Sequence, residues 1–316
     1  MTLKLSVIGC GYLGATHAAC MSSLGFEVVG IDTDQSKVDL LQSGRLPFYE
    51  PGLDTLLAAE MKTGRLSFTI DFSAVADADV HFICVGTPQS KDGLAADLTY
   101  VKSSVAAIAP HLKDGSLVVG KSTVPVGYTE KVQQKFNTKN IIFSPEFLTE
   151  RTAKLDMLTQ SRIVIGGNAQ HTEKILELFK ARFGQKHYVL TDSTTAEFIK
   201  YMANTFLAVK VSVVNEFYRM SEALGADWDK ALEGFVSDPR IGNSHTQVPG
   251  HDGKLGFGGT CFPKDINALI TMGKELGVDM NTLEAALKTN LEVRPEQDWK
   301  YLVGRAITPT PTPHQK

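Results

Sequence analysis

The chain has 316 residues, 43% of them hydrophobic and 21% charged, with a net charge of −3. That length predicts two domains with a sizeable interior. The charge balance argues against a nucleic-acid or anionic-membrane surface, and the apolar runs are too short to span a bilayer.

The four cysteines (Cys10, Cys20, Cys84 and Cys261) are scattered, with no Cys-x-x-Cys pair, so neither a zinc ribbon nor a disulfide frame is expected. A soluble cytoplasmic protein of enzyme size is the expectation. Residues 3–8 form a short apolar run of strand-forming residues. Gly9-Cys10-Gly11-Tyr12-Leu13-Gly14 follows, then a helical stretch to Leu24 and a second apolar run ending at Asp32. This is the Gly-x-Gly-x-x-Gly fingerprint in its strand–turn–helix–strand setting, with an acid about 20 residues further on. The glycines permit a tight turn and the approach of a pyrophosphate to the helix N-terminus. Asp32 suits the ribose hydroxyls and would repel a 2′-phosphate, which predicts NAD rather than NADP.

Strands at 80–85, 116–119, 141–143 and 163–165 then alternate with helical segments such as 98–109. The alternation predicts an α/β fold, a doubly wound parallel sheet of Rossmann type over residues 1–190. Ligands of such sheets sit beyond the carboxyl ends of the strands. There Val85 runs into Gly86-Thr87-Pro88, the next strand into Lys121-Ser122-Thr123-Val124-Pro125, and Phe143 into Ser144-Pro145-Glu146-Phe147-Leu148-Thr149-Glu150. Each alone reads as a capped turn. Three on the edge that carries the glycine turn read as a binding face.

The second part, residues 191–306, reads as an all-helical domain. From 191 to 224, Ile199, Met202, Ala203, Phe206, Leu207, Val213, Val214 and Phe217 keep helical spacing without Gly or Pro. At about 1.5 Å per residue this helix would run about 50 Å, too long for one compact domain to surround. Lys200 and Asn204, four apart, share one face beside the apolar stripe. A polar loop over 237–259 contains Arg240-Ile241-Gly242-Asn243 and is either an active-site cover or a surface excursion. His245 and His251 with Cys261 fit no metal-ligand spacing, and no metal is expected.

Gly256–Asp265 reads Gly-Phe-Gly-Gly-Thr-Cys-Phe-Pro-Lys-Asp. Three glycines in four residues leave the backbone free to take φ > 0 and make room for a ligand. Pro263 favours a helix start, which puts Cys261 at a helix N-terminus. There the helix dipole and Lys264 favour a thiolate, and Asp265 can reach the same pocket. A small buried cysteine in a glycine turn is the alternative reading. Helices over 263–276 and 280–306 follow, and the Thr-Pro-rich tail at 307–316 is expected to be disordered.

In their order these motifs resemble the nucleotide-sugar 6-dehydrogenase family, from the glycine turn to about residue 306. The resemblance also takes in Pro47-Phe48-Tyr49-Glu50-Pro51-Gly52-Leu53 and Ser122-Thr123-Val124-Pro125-Val126-Gly127. It implies a four-electron oxidation of a sugar C6 alcohol to a carboxylate with two NAD molecules in turn. Cys261 would carry first a thiohemiacetal and then a thioester. By the same resemblance Lys200 and Asn204 steady the oxyanion, Asp265 helps to move the proton, and Glu150 and Thr123 position or activate water. Cofactor contacts are implied for Gly9, Gly11, Tyr12, Leu13, Gly14, Asp32, Lys37, Thr87, Thr123, Glu150 and Lys264. Substrate contacts are implied for Glu146, Phe147, Leu148, Lys200, Asn204, Arg240, Asn243 and Gly258.

The long helix would form the core of a homodimer. Arg240–Asn243 resembles the branch that acts on UDP-glucose, with GDP-mannose or a UDP-N-acetylhexosamine as the alternative. A two-electron 3-hydroxyacid dehydrogenase would have no use for Cys261. Family members usually continue into a third domain that helps to hold the nucleotide, and this chain stops after the connecting helix. That implies weak sugar-nucleotide binding, or an NAD-binding subunit inactive without that domain.

Overall fold

The computed structural model describes residues 3–302 except 91, 92 and 94, so the tail expected at 307–316 lies outside the described residues. In chain order the elements begin with β1 (Lys4–Ile8), α1 (Tyr12–Ser23), β2 (Glu27–Ile31), α2 (Gln35–Gln42), α3 (Leu53–Lys62), β3 (Leu66–Thr69) and β4 (Val80–Ile83). Next come α4 (Thr99–Ile108), β5 (Leu117–Gly120), α5 (Tyr128–Lys135), β6 (Ile141–Phe143), α6 (Ala153–Thr159), β7 (Arg162–Gly166), α7 (Ala169–Phe183) and β8 (His187–Thr191). The chain then continues as helices α8 (Ser193–Leu224), α9 (Trp228–Val236), α10 (Phe262–Leu276) and α11 (Asn281–Val293). It divides into two compact units, Met1–Thr87 with Leu98–Lys200, and Pro88–Asp97 with Tyr201–Lys316.

The first unit is built on one eight-stranded sheet in the order β3-β2-β1-β4-β5-β6-β7-β8. Strands β1 to β6 are parallel. β7 meets β6 antiparallel at Phe143–Gly166, and β8 runs parallel to β7. The doubly wound parallel sheet expected from the alternation is therefore present, with a single antiparallel pairing, β6 with β7, that strand–helix alternation in a sequence does not record. The strand order reverses beside β1, which makes the end of β1 the place where an α/β sheet opens a crevice.

Burial explains which strands are legible. β4 is buried along its whole length and is apolar except for His81, close to the pattern of central parallel strands. The two strands missing from the sequence reading, β3 and β8, are the two edges of the sheet. β3 alternates over only four residues and β8 is largely part-exposed, so neither carries an apolar run. Helices cover both faces. Ala15, Ala18, Leu57, Met157 and Phe179 pack with Leu5, Val28, Phe82 and Val119 in one core. Val101, Ile108 and Ala196 pack with Ile8, Ile83 and Phe143 in the other.

The second unit is helical. Gly277, with φ at +70°, stops α10 in the left-handed conformation that suits a glycine there. The helix expected over 280–306 ends at Val293 instead: Pro295 keeps the residue before it out of the helical region, and Asp298–Tyr301 forms a separate 3-10 turn. Among the described residues no helix is long and apolar enough to cross a membrane.

Candidate active site

The first unit carries a cradle at the end of β1. Gly9 has φ at +89°, and its N–H donates to the carbonyl of Ile31 at 2.8 Å, which ties the turn to β2. A Cβ on Gly14 would stand 1.8 Å from the Gly9 carbonyl oxygen, so α1 is seated directly on the turn. Gly11, the N-cap of α1, has nothing within 4 Å of where its Cβ would stand. A helix N-terminus with open space above it is what a pyrophosphate fits.

Asp32 lies just beyond β2 and is buried. One carboxylate oxygen accepts from the Cys10 N–H at 2.7 Å and the Lys37 ammonium at 2.8 Å, and the other from the Asp34 N–H at 3.1 Å. Asp32 and Lys37 thus meet, and Asp32 also holds the glycine turn in shape. The Tyr12 hydroxyl donates to Glu50 and accepts from the Arg151 N–H at 2.7 Å. Burial, with Glu50 adding, pushes that hydroxyl well above its ordinary value. Glu50 also accepts from the Lys154 N–H at 3.0 Å at the start of α6. It has no assigned role in the sequence reading, yet it joins the glycine turn to the segment that carries Glu150.

The loop with Thr123 is pinned at both ends. The Ser122 hydroxyl donates to the Val85 carbonyl at 2.6 Å, beside Thr87. At the far end Glu197 of α8 accepts from the Gly127 N–H at 2.6 Å, and from the Thr129 N–H and hydroxyl at 2.9 and 2.5 Å. Burial pushes the Glu197 carboxyl up although these donors oppose it.

The resemblance assigns Glu146 to the substrate; its side chain is buried in an ion pair with Lys121. Its backbone carbonyl has the visible role. The Lys200 ammonium donates to it at 2.5 Å and stands 5.3 Å from the centre of the Phe147 ring. Leu148 packs against the core, and Glu150 is exposed. Lys121 and Glu197 escape a sequence reading because a lone charged residue gives no sign that it is buried.

In the second unit Cys261 is the N-cap of α10, with Pro263 in the first turn. It is exposed, whereas Cys10, Cys20 and Cys84 are buried. Burial pushes the Cys20 thiol up to about 12, and those of Cys10 and Cys84 well above the ordinary range. Asp265, fully buried one turn into α10, accepts from the Asn204 amide at 2.6 Å and pairs with the Lys264 ammonium. Burial alone would pull Lys264 down; Asp265 outweighs it, Tyr201 and Cys261 act in the same direction, and the ammonium is held above its ordinary value. Lys264, which the resemblance assigns to the cofactor, thus has its buried charge balanced by Asp265.

The Arg240 guanidinium is exposed and forks onto Asp238, with the Nε–H donating at 2.9 and 3.1 Å. The Asn243 side chain accepts from the Thr246 hydroxyl at 2.9 Å, and Lys210 of α8 donates to the carbonyls of Ile241 and Gly242 at 3.0 and 2.7 Å. Gly258 lies against Arg294, whose guanidinium would be 2.7 Å from an added Cβ. Asn204, Asp265 and Lys264 therefore come together in the second unit, and Lys200, Glu146 and Phe147 in the first. Lys200 and Asn204 lie about one turn apart along α8.

Residues 3–183 match the NAD binding domain of the UDP-glucose/GDP-mannose dehydrogenase family, and residues 194–292 match its central domain. The chain belongs to this family. It is similar to the UDP-glucose 6-dehydrogenase TuaD of Bacillus subtilis, with 39% identity over 96% of this chain and 65% of that protein. The chain thus spans about two thirds of the length of that curated relative. A UDP-glucose dehydrogenase from Pyrobaculum islandicum superposes with a TM-score of 0.83 at 38% identity, over 92% of this chain and 68% of that one. A GDP-mannose dehydrogenase from Pseudomonas aeruginosa superposes with a TM-score of 0.70 at 33% identity, over 92% of this chain and 68% of that one. Within the UDP-glucose/GDP-mannose dehydrogenase family the first unit is the NAD-binding domain, and the cradle at Gly11 fits that cofactor.

Proposed function

We propose that this chain oxidises the C6 hydroxyl of a nucleotide sugar, UDP-glucose in the first place, to a carboxylate in two NAD-dependent steps through Cys261. The observation that carries this reading is an exposed thiol at the start of α10, one turn from a buried Asn204–Asp265–Lys264 network. UDP-glucose is favoured over GDP-mannose because the relatives named for it have the higher identity and TM-score.

NAD, when bound, accepts a hydride in each oxidation. The first oxidation leaves an aldehyde, and the Cys261 sulfur adds to its carbon to give a thiohemiacetal. Loss of the second hydride and a proton re-forms the carbonyl as a thioester. Water then adds, the carbon–sulfur bond breaks, and the carboxylate leaves with the thiol restored. Lys200 and Asn204 donate to the C6 oxygen whenever it carries negative charge, an effect of about 3 kcal/mol per donor in such sites. Asp265 takes part in moving the proton, and Thr123 and Glu150 hold the water.

The reaction belongs in a reducing compartment, the cytoplasm, where an exposed nucleophilic thiol persists. Met202, Phe206, Val213, Phe217, Met220 and Leu224 keep helical spacing on α8 and are exposed. Such a stripe on one helix marks a partner surface, and we assign it to a homodimer.

The test is to supply excess NAD and a limiting nucleotide sugar and to count NADH per sugar. Two per UDP-glucose, lost in Cys261→Ala, is the expected result. One per sugar, or unchanged yield in Cys261→Ala, refutes the thioester route. NAD binding with no NADH from any nucleotide sugar would instead mark a subunit that needs a partner domain.

A further inference from the structure

The segment before Cys261 is held by side chains rather than by backbone partners. The Gly256 N–H donates to the side-chain oxygen of Asn215, on α8, at 3.0 Å. The Phe257 N–H donates to the Asn290 side-chain oxygen at 2.6 Å, and the Asn290 amide donates back to the Phe257 carbonyl at 3.0 Å. Asn290 therefore treats Phe257 as a neighbouring strand would, with both backbone groups satisfied by one side chain. The Leu255 carbonyl accepts from Arg294 at 3.4 Å. Three consecutive residues thus take their backbone partners from α8, from the last turn of α11 and from the residue after it.

The glycines fit this clamp. Gly256 has φ at +69°, and a Cβ there would lie 2.4 Å from the Asn290 side-chain oxygen. A Cβ on Gly258 would lie 2.7 Å from the Arg294 guanidinium. The clamp is itself anchored. Asn215 and Asn290 are fully buried, and Arg294 is buried and pairs with Asp252 and Asp298, each at 2.6 Å. Its guanidinium is held above its ordinary value against burial by those two carboxylates, and Asp298 is held down at about 2, so the network stays charged at any ordinary pH.

We infer that Asn290 and Arg294 are positioning residues for the nucleophile, and that they fix Gly256–Phe257 so that Cys261 is presented to the aldehyde. The inference rests on the reading of Cys261 as the nucleophile. It assigns a role to residues beyond the motif: the glycines are small because two side chains occupy the space beneath them. With the clamp loosened, the first oxidation proceeds but capture of the aldehyde does not keep pace, so aldehyde escapes.

The experiment compares Asn290→Asp, Asn290→Ala and Arg294→Lys with the unmodified chain. Asn290→Asp keeps the acceptor for the Phe257 N–H and removes the donor to its carbonyl. Amide exchange at Phe257 is expected to speed up at least 100-fold in Asn290→Ala while the interior of α10 stays protected. Unchanged exchange at Phe257 overturns the clamp. With NAD and limiting UDP-glucose, the variants are expected to yield NADH per sugar falling from two towards one, with released aldehyde trapped by a hydrazine and the KM for NAD within twofold. Two NADH per sugar and no trapped aldehyde in Asn290→Asp and Arg294→Lys, alongside a Cys261→Ala that no longer reaches two, overturns the positioning role. A Cys261→Ala that still yields two NADH overturns the reading of the nucleophile instead. Arg294→Lys keeps the charge between Asp252 and Asp298, and so gives an answer where Asn290→Ala fails to fold.

Discussion

Lys264 and Asp265 are nearly enclosed, with side chains 7% and 1% exposed, and each is the other's countercharge. Removing either one leaves a charge in the interior of the second unit. Breaking a buried pair in this way costs about 3–5 kcal/mol, whereas removing both charges together is far cheaper. Lys264→Met and Asp265→Asn are each expected to destabilise by that amount, and the double variant by at least about 2 kcal/mol less than their sum. Asn is the right replacement for Asp265, since its amide oxygen still accepts from Asn204. Both tryptophans of the chain, Trp228 and Trp299, lie in the second unit, so their fluorescence in urea follows that unit alone. With a slope of about 1.5 kcal/mol per M, each single variant is expected to lower the midpoint by about 2–3 M. Single variants that each cost under about 1 kcal/mol and add without coupling would refute the buried pair.

The same pair sets an alkaline limit. Lys264 is raised above 10.5 in the folded state, so its contribution is complete below that pH and is lost only as pH rises through the raised value; Lys264→Met is expected to remove that loss from the urea midpoint measured above pH 10.5. On the acid side His17 and His81 are both buried, and burial, with a nearby lysine in each case, holds His17 well below its ordinary value and His81 down to about 4. The unfolded chain takes up these protons near its ordinary pKa of about 6.5, so stability is lost as pH falls from there, by about 2–3 kcal/mol at pH 4.5 from His81 alone. Urea unfolding followed by circular dichroism checks this, and a flat profile from pH 7 to 4.5 contradicts it. Glu197→Ala leaves three donors at Gly127 and Thr129 without their acceptor and is expected to cost about 3 kcal/mol, read as a fall in melting temperature; no change contradicts the cap. Asp32→Asn keeps the shape and loses the charge that faces Lys37, and is expected to weaken NAD about 10- to 100-fold by calorimetry while NADP weakens less; equal effects on both contradict a discriminating role.

Much of the architecture is legible in the sequence because its signals are local. The Gly9–Gly14 turn, the apolar runs of β1, β2 and β4, and the stripe of α8 each announce themselves within one stretch of chain. What stays hidden depends on distant partners. The edge strands β3 and β8 have one neighbour each and no continuous apolar run, and the reversal at β7 is a matter of direction that composition does not encode. The resemblance names Glu146 and Lys264 as ligand contacts, but not that each is buried against an opposite charge, Lys121 and Asp265, which only the fold reveals. Asn215, Asn290 and Arg294 lie 29 to 46 residues from Cys261, outside every motif, and only the folded chain shows them against Gly256–Gly258.

The central claim is that the sugar becomes bonded to Cys261 between the two oxidations. The most direct measurement is mass spectrometry of the Cys261 peptide after acid quenching of the chain during turnover with NAD and UDP-glucose. A glucuronyl thioester on Cys261, cleaved by hydroxylamine and absent when NAD is omitted, is the expected result. Full turnover in Cys261→Ser or Cys261→Ala, with no adduct on Cys261 in the unmodified chain at any quench time, would contradict it.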